Sequence, residues 1–266
     1  MFKPVQTYLI ACNPRTGSWL LTYALQDSGI AASPDEYFAP AIEEFWIQRF
    51  GLKSPEAGGS YRNYLSAVFR FGTSPDGLFG SKLLWESVGA FTGRLREDPA
   101  LADLETADLL PAVFPRLQVI LLQRRDKVRA AVSRWRAATS GVWAVELTGE
   151  PAWLSPVEPL PTYFHPQTIS DLHDLAHAEE NAWLRLATEM RVPFLCIQYE
   201  DLVTAWDQSM RQVLAFLGRE LPRSAPMPKP RLRRQADEET GAYVSAWRAA
   251  TGGCPACEDA TATANL

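Results

Sequence analysis

The sequence lacks the features that mark several classes of protein. Its 266 residues include only four cysteines, too few for a disulfide scaffold. No apolar run approaches the roughly 20 residues that span a bilayer, and the run Tyr8–Cys12 is too short for a signal peptide. We therefore expect a cytoplasmic protein without stable membrane insertion. The net charge of -5 argues against a nucleic-acid partner, because such proteins usually carry a basic excess.

The composition favours one large folded domain. Hydrophobic residues make up 47% of the chain, enough for a sizeable core, and we expect a single domain over 1–251 with a flexible tail over 252–266. The tail contains a CxxC pair, Cys254–Cys257, and a predicted helix carries His173 and His177 one turn apart. Neither pair is accompanied by the further ligands of a metal site, so we expect no metal.

Strand-like and helical patterns alternate along the chain. Strands are predicted at Thr7–Cys12, Leu78–Trp85, Leu117–Arg124 and Phe194–Tyr199, and helices at Ser18–Ser28, Ala41–Phe50, Tyr61–Phe71, Lys127–Thr139, Thr168–Arg191 and Trp206–Leu217. The proline-rich stretch Pro151–Pro166 is predicted to be a long loop without regular structure. Pro222–Pro230 is predicted to be a linker, and Arg231–Thr251 a basic segment followed by a helix. This alternation predicts an α/β fold with a mainly parallel central sheet flanked by helices.

The segment Asn13–Trp19 joins the first strand to the first helix. Free backbone N–H groups and the helix dipole make such a helix start a site for anions, and Gly17 allows an oxyanion to approach closely. Arg15 adds a forked positive charge, and Thr16 and Ser18 add hydroxyl donors. A plain turn with Ser18 as helix cap is the alternative. The segment lacks the Gly-Lys-Ser/Thr of an ATP-binding loop, so magnesium binding is not supported.

Two later strands also deliver polar residues to their carboxyl ends, where open α/β sheets bind ligands. Arg124 and Arg125 end the strongest strand, and Ser133 lies in the second turn of the following helix. Tyr199 ends the last predicted strand, and its ring could flank a base. The basic run Arg231–Gln235 could close over a phosphate. For each of these groups, a solvated surface patch is the alternative.

Taken in order, these segments resemble the sulfotransferases that use 3′-phosphoadenosine-5′-phosphosulfate (PAPS), and most of all the bacterial trehalose 2-sulfotransferase group. The likeness covers about residues 7 to 250. The segments that carry it are Tyr8–Ile10, Arg15–Ser18, Glu36–Phe38, Gly80–Trp85, Ser133–Ala137 and Arg234–Asp237. The resemblance implies a P-loop-like sulfotransferase fold, with PAPS as co-substrate and adenosine 3′,5′-bisphosphate (PAP) as product.

The resemblance also implies a role for each nucleotide-binding residue. The residues expected at the 5′-phosphosulfate are Arg15, Thr16, Gly17, Ser18 and Trp19. Arg124 and Ser133 are expected to hold the 3′-phosphate, Tyr199 to flank the base, and Arg234 and Gln235 to cover the nucleotide. Arg15 replaces the lysine of many animal enzymes, and Arg125 replaces a usual proline.

On the acceptor side, the family pattern makes Glu36 the general base of an in-line transfer, with Arg15 stabilising the developing charge. Phe38, Lys82 and Trp85 are expected to contact the acceptor, since a tryptophan face suits a sugar. We expect a small carbohydrate acceptor, either a trehalose-like disaccharide or a glycolipid headgroup, and a homodimer. Two alternatives stay open: a non-catalytic PAP-binding module and, with less support, a P-loop-like nucleotide kinase.

Overall fold

The computed structural model describes residues 2–154, 163–222, 224–233 and 237–252. Its strands are β1 (Gln6–Cys12), β2 (Leu78–Leu84), β3 (Leu117–Gln123), β4 (Val142–Val145), β5 (Pro151–Leu154) and β6 (Phe194–Gln198). Its helices are α1 (Ser18–Asp27), α2 (Pro40–Arg49), α3 (Tyr61–Gly72), α4 (Trp85–Leu95), α5 (Thr106–Val113), α6 (Lys127–Ser140), α7 (Pro166–Glu189), α8 (Tyr199–Thr204), α9 (Trp206–Phe216) and α10 (Glu238–Thr251).

Four parallel strands form the central sheet in the order β2-β1-β3-β6. Strand β1 lies inside the sheet, and its residues from Thr7 to Cys12 are all buried. Side chains on both faces of such a strand meet helices, so an unbroken apolar run fits here better than an alternating pattern. The predicted parallel α/β architecture is confirmed, and each of the four predicted strands is present to within one residue at either end.

Hydrophobic clusters cover both faces of the sheet. One cluster joins the strands to α3, α4, α5 and α7, and it contains the stacked rings of Phe38 and Phe91 at 4.2 Å. The other joins the opposite face to α1 and α9 through residues such as Leu21 and Val213. A third cluster, which includes Trp135 and Trp247, packs α6, α7 and α10 together. The helices are therefore fixed to the sheet chiefly by apolar burial.

The prediction for the proline-rich stretch was partly wrong. Pro151–Leu154 is strand β5, which pairs antiparallel with β4, and Pro151 is tolerated because it stands at the first position of the strand. Pro166 begins α7, and it is tolerated there because a backbone N–H at the first helical position has no hydrogen-bond partner within the helix. Residues 155–162 of the stretch lie outside the described residues, as do Arg234, Gln235 and the Cys254–Cys257 pair.

The parallel sheet brings four chain segments to one edge. Cys12 is in register with Leu84 and with Leu122, and Gln123 is in register with Gln198. The residues that follow these strands therefore meet at their carboxyl ends, which is where ligands bind in open α/β sheets. None of the described helices is both long and apolar enough to cross a membrane.

Candidate active site

The loop after β1 is folded tightly against the start of α1. Thr16 donates a hydrogen bond from Oγ1 to the carbonyl of Asn13 at 2.8 Å, and the Asn13 amide donates to the carbonyl of Ala176 at 3.1 Å. Arg15 and Gly17 both have positive φ, 68° and 79°. Within the described chain, no side chain caps the first turn of α1. Its N–H groups thus keep the capacity to bind an anion.

Position 17 favours glycine for two reasons: its backbone has a positive φ, and the Tyr199 ring leaves no room for a side chain. A Cβ atom at this position would lie 2.5 Å from Cδ2 and 2.9 Å from Cε2 of Tyr199, the first residue after β6. The Tyr199 ring therefore lies directly against the loop, and only glycine leaves room for it. The loop after β1 and the segment that begins at Tyr199, which the sequence analysis treats as separate motifs, therefore form one surface.

Arg15, Arg124 and Ser133 form a cluster beside this loop. Arg124 donates from Nη1 to the carbonyl of Arg15 at 2.9 Å, and its guanidinium lies 4.9 Å from the centre of the Tyr199 ring. Arg15 donates from Nε to the Ser133 hydroxyl at 2.9 Å and from Nη1 to the carbonyl of Trp143. Burial, and then the charge of Arg124, lower the pKa of Arg15 to about 10. A bound anion would relieve this repulsion between buried cations.

The Arg15 side chain thus contacts Ser133 and lies near Arg124, the two residues that are predicted to bind the 3′-phosphate. The sequence analysis had expected this side chain to bind the 5′-phosphosulfate. The reason is local: the left-handed backbone of Arg15 turns its side chain toward α6, where Ser133 accepts its hydrogen bond. The backbone of the loop and the first turn of α1 remain the candidate site for the anion.

The segment that carries Glu36 is attached to the edge of the sheet beside β2. The Lys82 backbone donates to the carbonyl of Asp35 at 2.9 Å, and the Ser81 hydroxyl donates to the same carbonyl at 2.9 Å. The Asp35 carboxylate in turn accepts from the Glu36 backbone at 2.6 Å. Burial raises the pKa of Asp35 to about 6. These bonds place Glu36 beside Lys82, although the two lie far apart in sequence.

Glu36 and Lys82 form a buried ion pair. Nζ of Lys82 lies 2.5 Å from Oε2 of Glu36, and the two side chains are 2% and 8% exposed. The same ammonium lies 4.0 Å from the centre of the Trp19 ring, where the face of the ring attracts a cation. The carboxylate predicted to act as base is therefore held by a cation that is itself held by α1.

The basic segment near the C-terminus runs beside β4. Arg233 donates from its backbone to the carbonyl of Val145 at 2.9 Å, and the backbone of Leu147 donates to the carbonyl of Arg231 at 3.1 Å. The Arg231 side chain pairs with Asp27 of α1. These contacts fix Arg231–Arg233 beside β4 and α1, and the expectation that Arg234 and Gln235 cover a nucleotide stays a prediction.

One cavity of about 780 Å³ connects these groups, a volume near the upper end for small-molecule sites. The predicted residues that line it are Arg15, Gly17, Ser18, Trp19, Glu36, Lys82, Arg124, Ser133 and Tyr199. Thr16 supports the loop from within. Phe38 is buried among aromatic rings, and Trp85 packs edge-on against Trp183 at 5.2 Å. Phe38 and Trp85 thus lie in apolar packing outside the cavity wall. For Trp85 the reason is that the chain turns into α4 at this residue.

The cavity also has lining residues to which the sequence analysis assigned no role. They are contributed by the start of α4 and by β4: Glu86, Ser87, Trp143 and Ala144. Leu232 and Arg233, from the basic run that the sequence indicated, line the cavity as well. Glu86 is a second carboxylate in the same cavity as Glu36. Among the described residues, no group of three or more His, Cys, Asp or Glu side chains is arranged to hold a metal.

The model of the Stf0 sulphotransferase family matches residues 7–250 of the chain, almost its whole length. The chain belongs to this family. The Asn13–Trp19 loop, Glu36, Lys82, Arg124, Ser133 and Tyr199 all lie inside the matched range. The resemblance read from the ordered motifs is therefore confirmed.

Two relatives of this chain are named trehalose 2-sulfotransferase. The protein of Mycolicibacterium smegmatis is 29% identical over 266 residues, which cover 91% of this chain and 94% of that protein. The protein of Mycobacterium tuberculosis is 26% identical over 268 residues, which cover 94% and 97%. The chain thus spans nearly the whole length of both.

Among solved structures, the chain resembles a sulfotransferase from Alicyclobacillus acidocaldarius, with 15% identity, a TM-score of 0.46 and coverage of 96% and 98% of the two chains. It also resembles the sulfotransferase domain of the curacin biosynthetic pathway, with 13% identity, a TM-score of 0.48 and coverage of 95% and 99%.

Proposed function

We propose that this Stf0 sulfotransferase moves the sulfuryl group of PAPS to a hydroxyl of a small carbohydrate, with Glu36 as the general base. The acceptor would be a trehalose-like disaccharide or a glycolipid headgroup, and the enzyme a cytoplasmic homodimer. The names of the two mycobacterial relatives support the carbohydrate acceptor. One observation carries the proposal: the buried Glu36–Lys82 pair and the arginine cluster line the same cavity.

The arginine cluster supports a nucleotide with a 3′-phosphate. The Arg15 guanidinium contacts the Ser133 hydroxyl, and the Arg124 guanidinium contacts the Arg15 backbone carbonyl. Forked guanidinium donors suit the oxygens of a phosphate, and charge-assisted bonds of this kind are stronger than neutral ones. AMP, which lacks the 3′-phosphate, would leave this cluster without its anion.

The other residues of the cavity suit the remaining parts of PAPS. The uncapped start of α1 and the Gly17 backbone are placed to receive the 5′-phosphosulfate. The Tyr199 ring offers a face for the adenine, and Leu232 and Arg233 line the same cavity. PAPS supplies an activated sulfuryl group when it is bound.

The chemical step is an in-line displacement. Glu36 accepts the proton of the acceptor hydroxyl as its oxygen bonds to sulfur. The bond between sulfur and the bridging oxygen of the 5′-phosphate breaks, and its electron pair leaves with PAP. Lys82 holds Oε2 of Glu36, which directs the other carboxylate oxygen to the acceptor. The α1 N–H groups stabilise the charge that develops on the sulfuryl and phosphate oxygens.

Nucleotide selectivity tests the proposal against its alternatives. Calorimetry should show tight binding of PAP and weak binding of AMP, ATP and GTP. A kinase would prefer ATP or GTP. A non-catalytic module would bind PAP equally well, but Glu36→Gln would then change nothing that can be measured. Equal affinity for PAP and AMP would refute the role of the arginine cluster.

A further inference from the structure

Glu86 is a cavity carboxylate that the proposed reaction does not use. It is the second residue of α4, and its side chain is 46% exposed within the cavity that contains Glu36 and Lys82. Its Oε2 atom accepts a hydrogen bond from Nη2 of Arg134 at 2.7 Å. Its Oε1 atom accepts no hydrogen bond from any side chain or backbone group in the described part of the chain. One carboxylate oxygen is thus fixed by Arg134, and Glu86 itself lines the cavity.

Arg134 is fixed in turn from its other side. Its Nη1 atom lies 3.2 Å from Oε2 of Glu179, a residue of α7 that is only 4% exposed. Burial raises the pKa of Glu179, and the charge of Arg134 opposes this rise. Buried ion pairs contribute little net stability, because removing both charges from water offsets their attraction. A chain of three charges that ends in the cavity therefore points to a role in recognition.

We propose that Glu86 is a specificity-determining residue that binds an acceptor hydroxyl other than the one that reacts, and that Arg134 is its positioning residue. This inference rests on the proposed function. It identifies the acceptor class as polyhydroxylated, with a second hydroxyl close to the reacting one. Hydroxyl groups form strong charge-assisted bonds to a carboxylate, and a site built to bond a hydroxyl discriminates strongly against compounds that lack it.

The position of Arg134 links acceptor binding to nucleotide binding. Arg134 directly follows Ser133, which contacts Arg15 in the predicted 3′-phosphate cluster. Neighbouring residues of a helix point in different directions. Two adjacent residues of α6 therefore have different roles: Ser133 belongs to the predicted nucleotide site, and Arg134 holds Glu86.

The test compares a sugar with a monohydroxy alcohol. Steady-state kinetics with PAPS would use the preferred sugar among trehalose, maltose and glucose, and 2-phenylethanol as the second acceptor. Glu86→Ala should lower kcat/KM for the sugar by about tenfold to a hundredfold, mainly through KM, because one charge-assisted bond is lost. Its effect on 2-phenylethanol should be less than about twofold, within the spread of neutral substitutions. Arg134→Met should produce the same change in preference, because Glu86 loses its fixed position.

Glu97→Ala is the matched control. Glu97 pairs with Arg94 much as Glu86 pairs with Arg134, and its side chain is similarly exposed at 50%, but it lies outside the cavity lining. This variant should retain the sugar preference. Calorimetry should show that Glu86→Ala and Glu86→Gln bind PAP as the wild type does, which verifies that both variants are folded. In a second titration, the complex of Glu86→Ala with PAP should bind the sugar more weakly than the wild-type complex does.

Several results would overturn the inference. An equal loss with both acceptors, or no loss with the sugar, would remove Glu86 from acceptor recognition. A wild-type enzyme that prefers 2-phenylethanol to every sugar would contradict the polyhydroxylated class. If the wild type binds PAP but transfers nothing to any acceptor, the proposed function itself fails, and this is visible before any variant is made.

Discussion

Replacing Gly17 by alanine should damage nucleotide binding far more than the loss of a glycine normally does. Gly17 has φ 79°, and an added Cβ would lie 2.5 Å from Cδ2 of Tyr199. Atoms do not approach this closely, so the ring must move. Tyr199 lies 4.9 Å below the guanidinium of Arg124, and its displacement would disturb the arginine cluster.

The size of the effect has two parts. The left-handed backbone costs alanine about 1–2 kcal/mol, which lowers stability. Loss of the contact between Arg124 and Tyr199 removes about 0.5–2 kcal/mol from the site, equivalent to a rise of about 2- to 30-fold in the Kd for PAP. Loss of ring stacking on the adenine would add to this rise.

Gly58→Ala is the matched control, because Gly58 has φ 77° and no atom within 4 Å of an added Cβ. It should lose similar stability in thermal unfolding but bind PAP normally in calorimetry. In a Tyr199→Ala background, where the ring is absent, Gly17→Ala should weaken PAP binding much less. The reasoning fails if Gly17→Ala binds PAP within twofold of the wild type, or if its effect is unchanged in the Tyr199→Ala background.

Four further predictions use other parts of the site. Arg124→Ala should weaken PAP binding by about tenfold or more, since a charge-assisted contact contributes about 1.5–3 kcal/mol, but should leave AMP binding nearly unchanged in calorimetry. Glu36→Gln should lower kcat by about 10²- to 10⁴-fold with little change in PAP affinity; retention of more than about a third of wild-type kcat would exclude Glu36 as the base. Burial raises the pKa of Asp35 to about 6, so the folded chain binds more protons than the unfolded chain between about pH 4 and pH 6, and its stability falls as the pH rises through this window. Asp35→Asn should therefore raise Tm at pH 7.5 but not near pH 4, and an equal shift at both pH values would contradict this. Light scattering at micromolar concentration should give twice the chain mass of 29.6 kDa, whereas a monomer mass would contradict the homodimer.

The sequence predicted the central sheet well because three of its strands, β1, β2 and β3, are buried on both faces. Runs such as Thr7–Cys12 and Leu117–Arg124 are apolar without alternation, and no helix of similar length would fit between their flanking turns. The sequence analysis did not predict helices α4 and α5, and each omission has a local cause. Helix α5 contains Pro111, which normally argues against a helix, and the start of α4 follows β2 without a loop.

The site was only partly predictable, because some of its contacts depend on tertiary register. Arg124 and Tyr199 could be placed at strand ends from pattern alone. The pairing of Glu36 with Lys82 could not, since it requires the Asp35 carbonyl to bond beside β2. The link from Glu86 through Arg134 joins three helices, and no spacing in the sequence indicates it.

Sulfuryl transfer by the purified chain tests the central claim most directly. The wild type would be incubated with PAPS and each sugar of a panel that includes trehalose, with Glu36→Gln in parallel, and the products would be measured by mass spectrometry. We predict a sugar heavier by one sulfo group, formed in equal amount with PAP by the wild type and far more slowly by Glu36→Gln. Binding of PAPS without any sulfated sugar, or equal rates for the two proteins, would contradict the account.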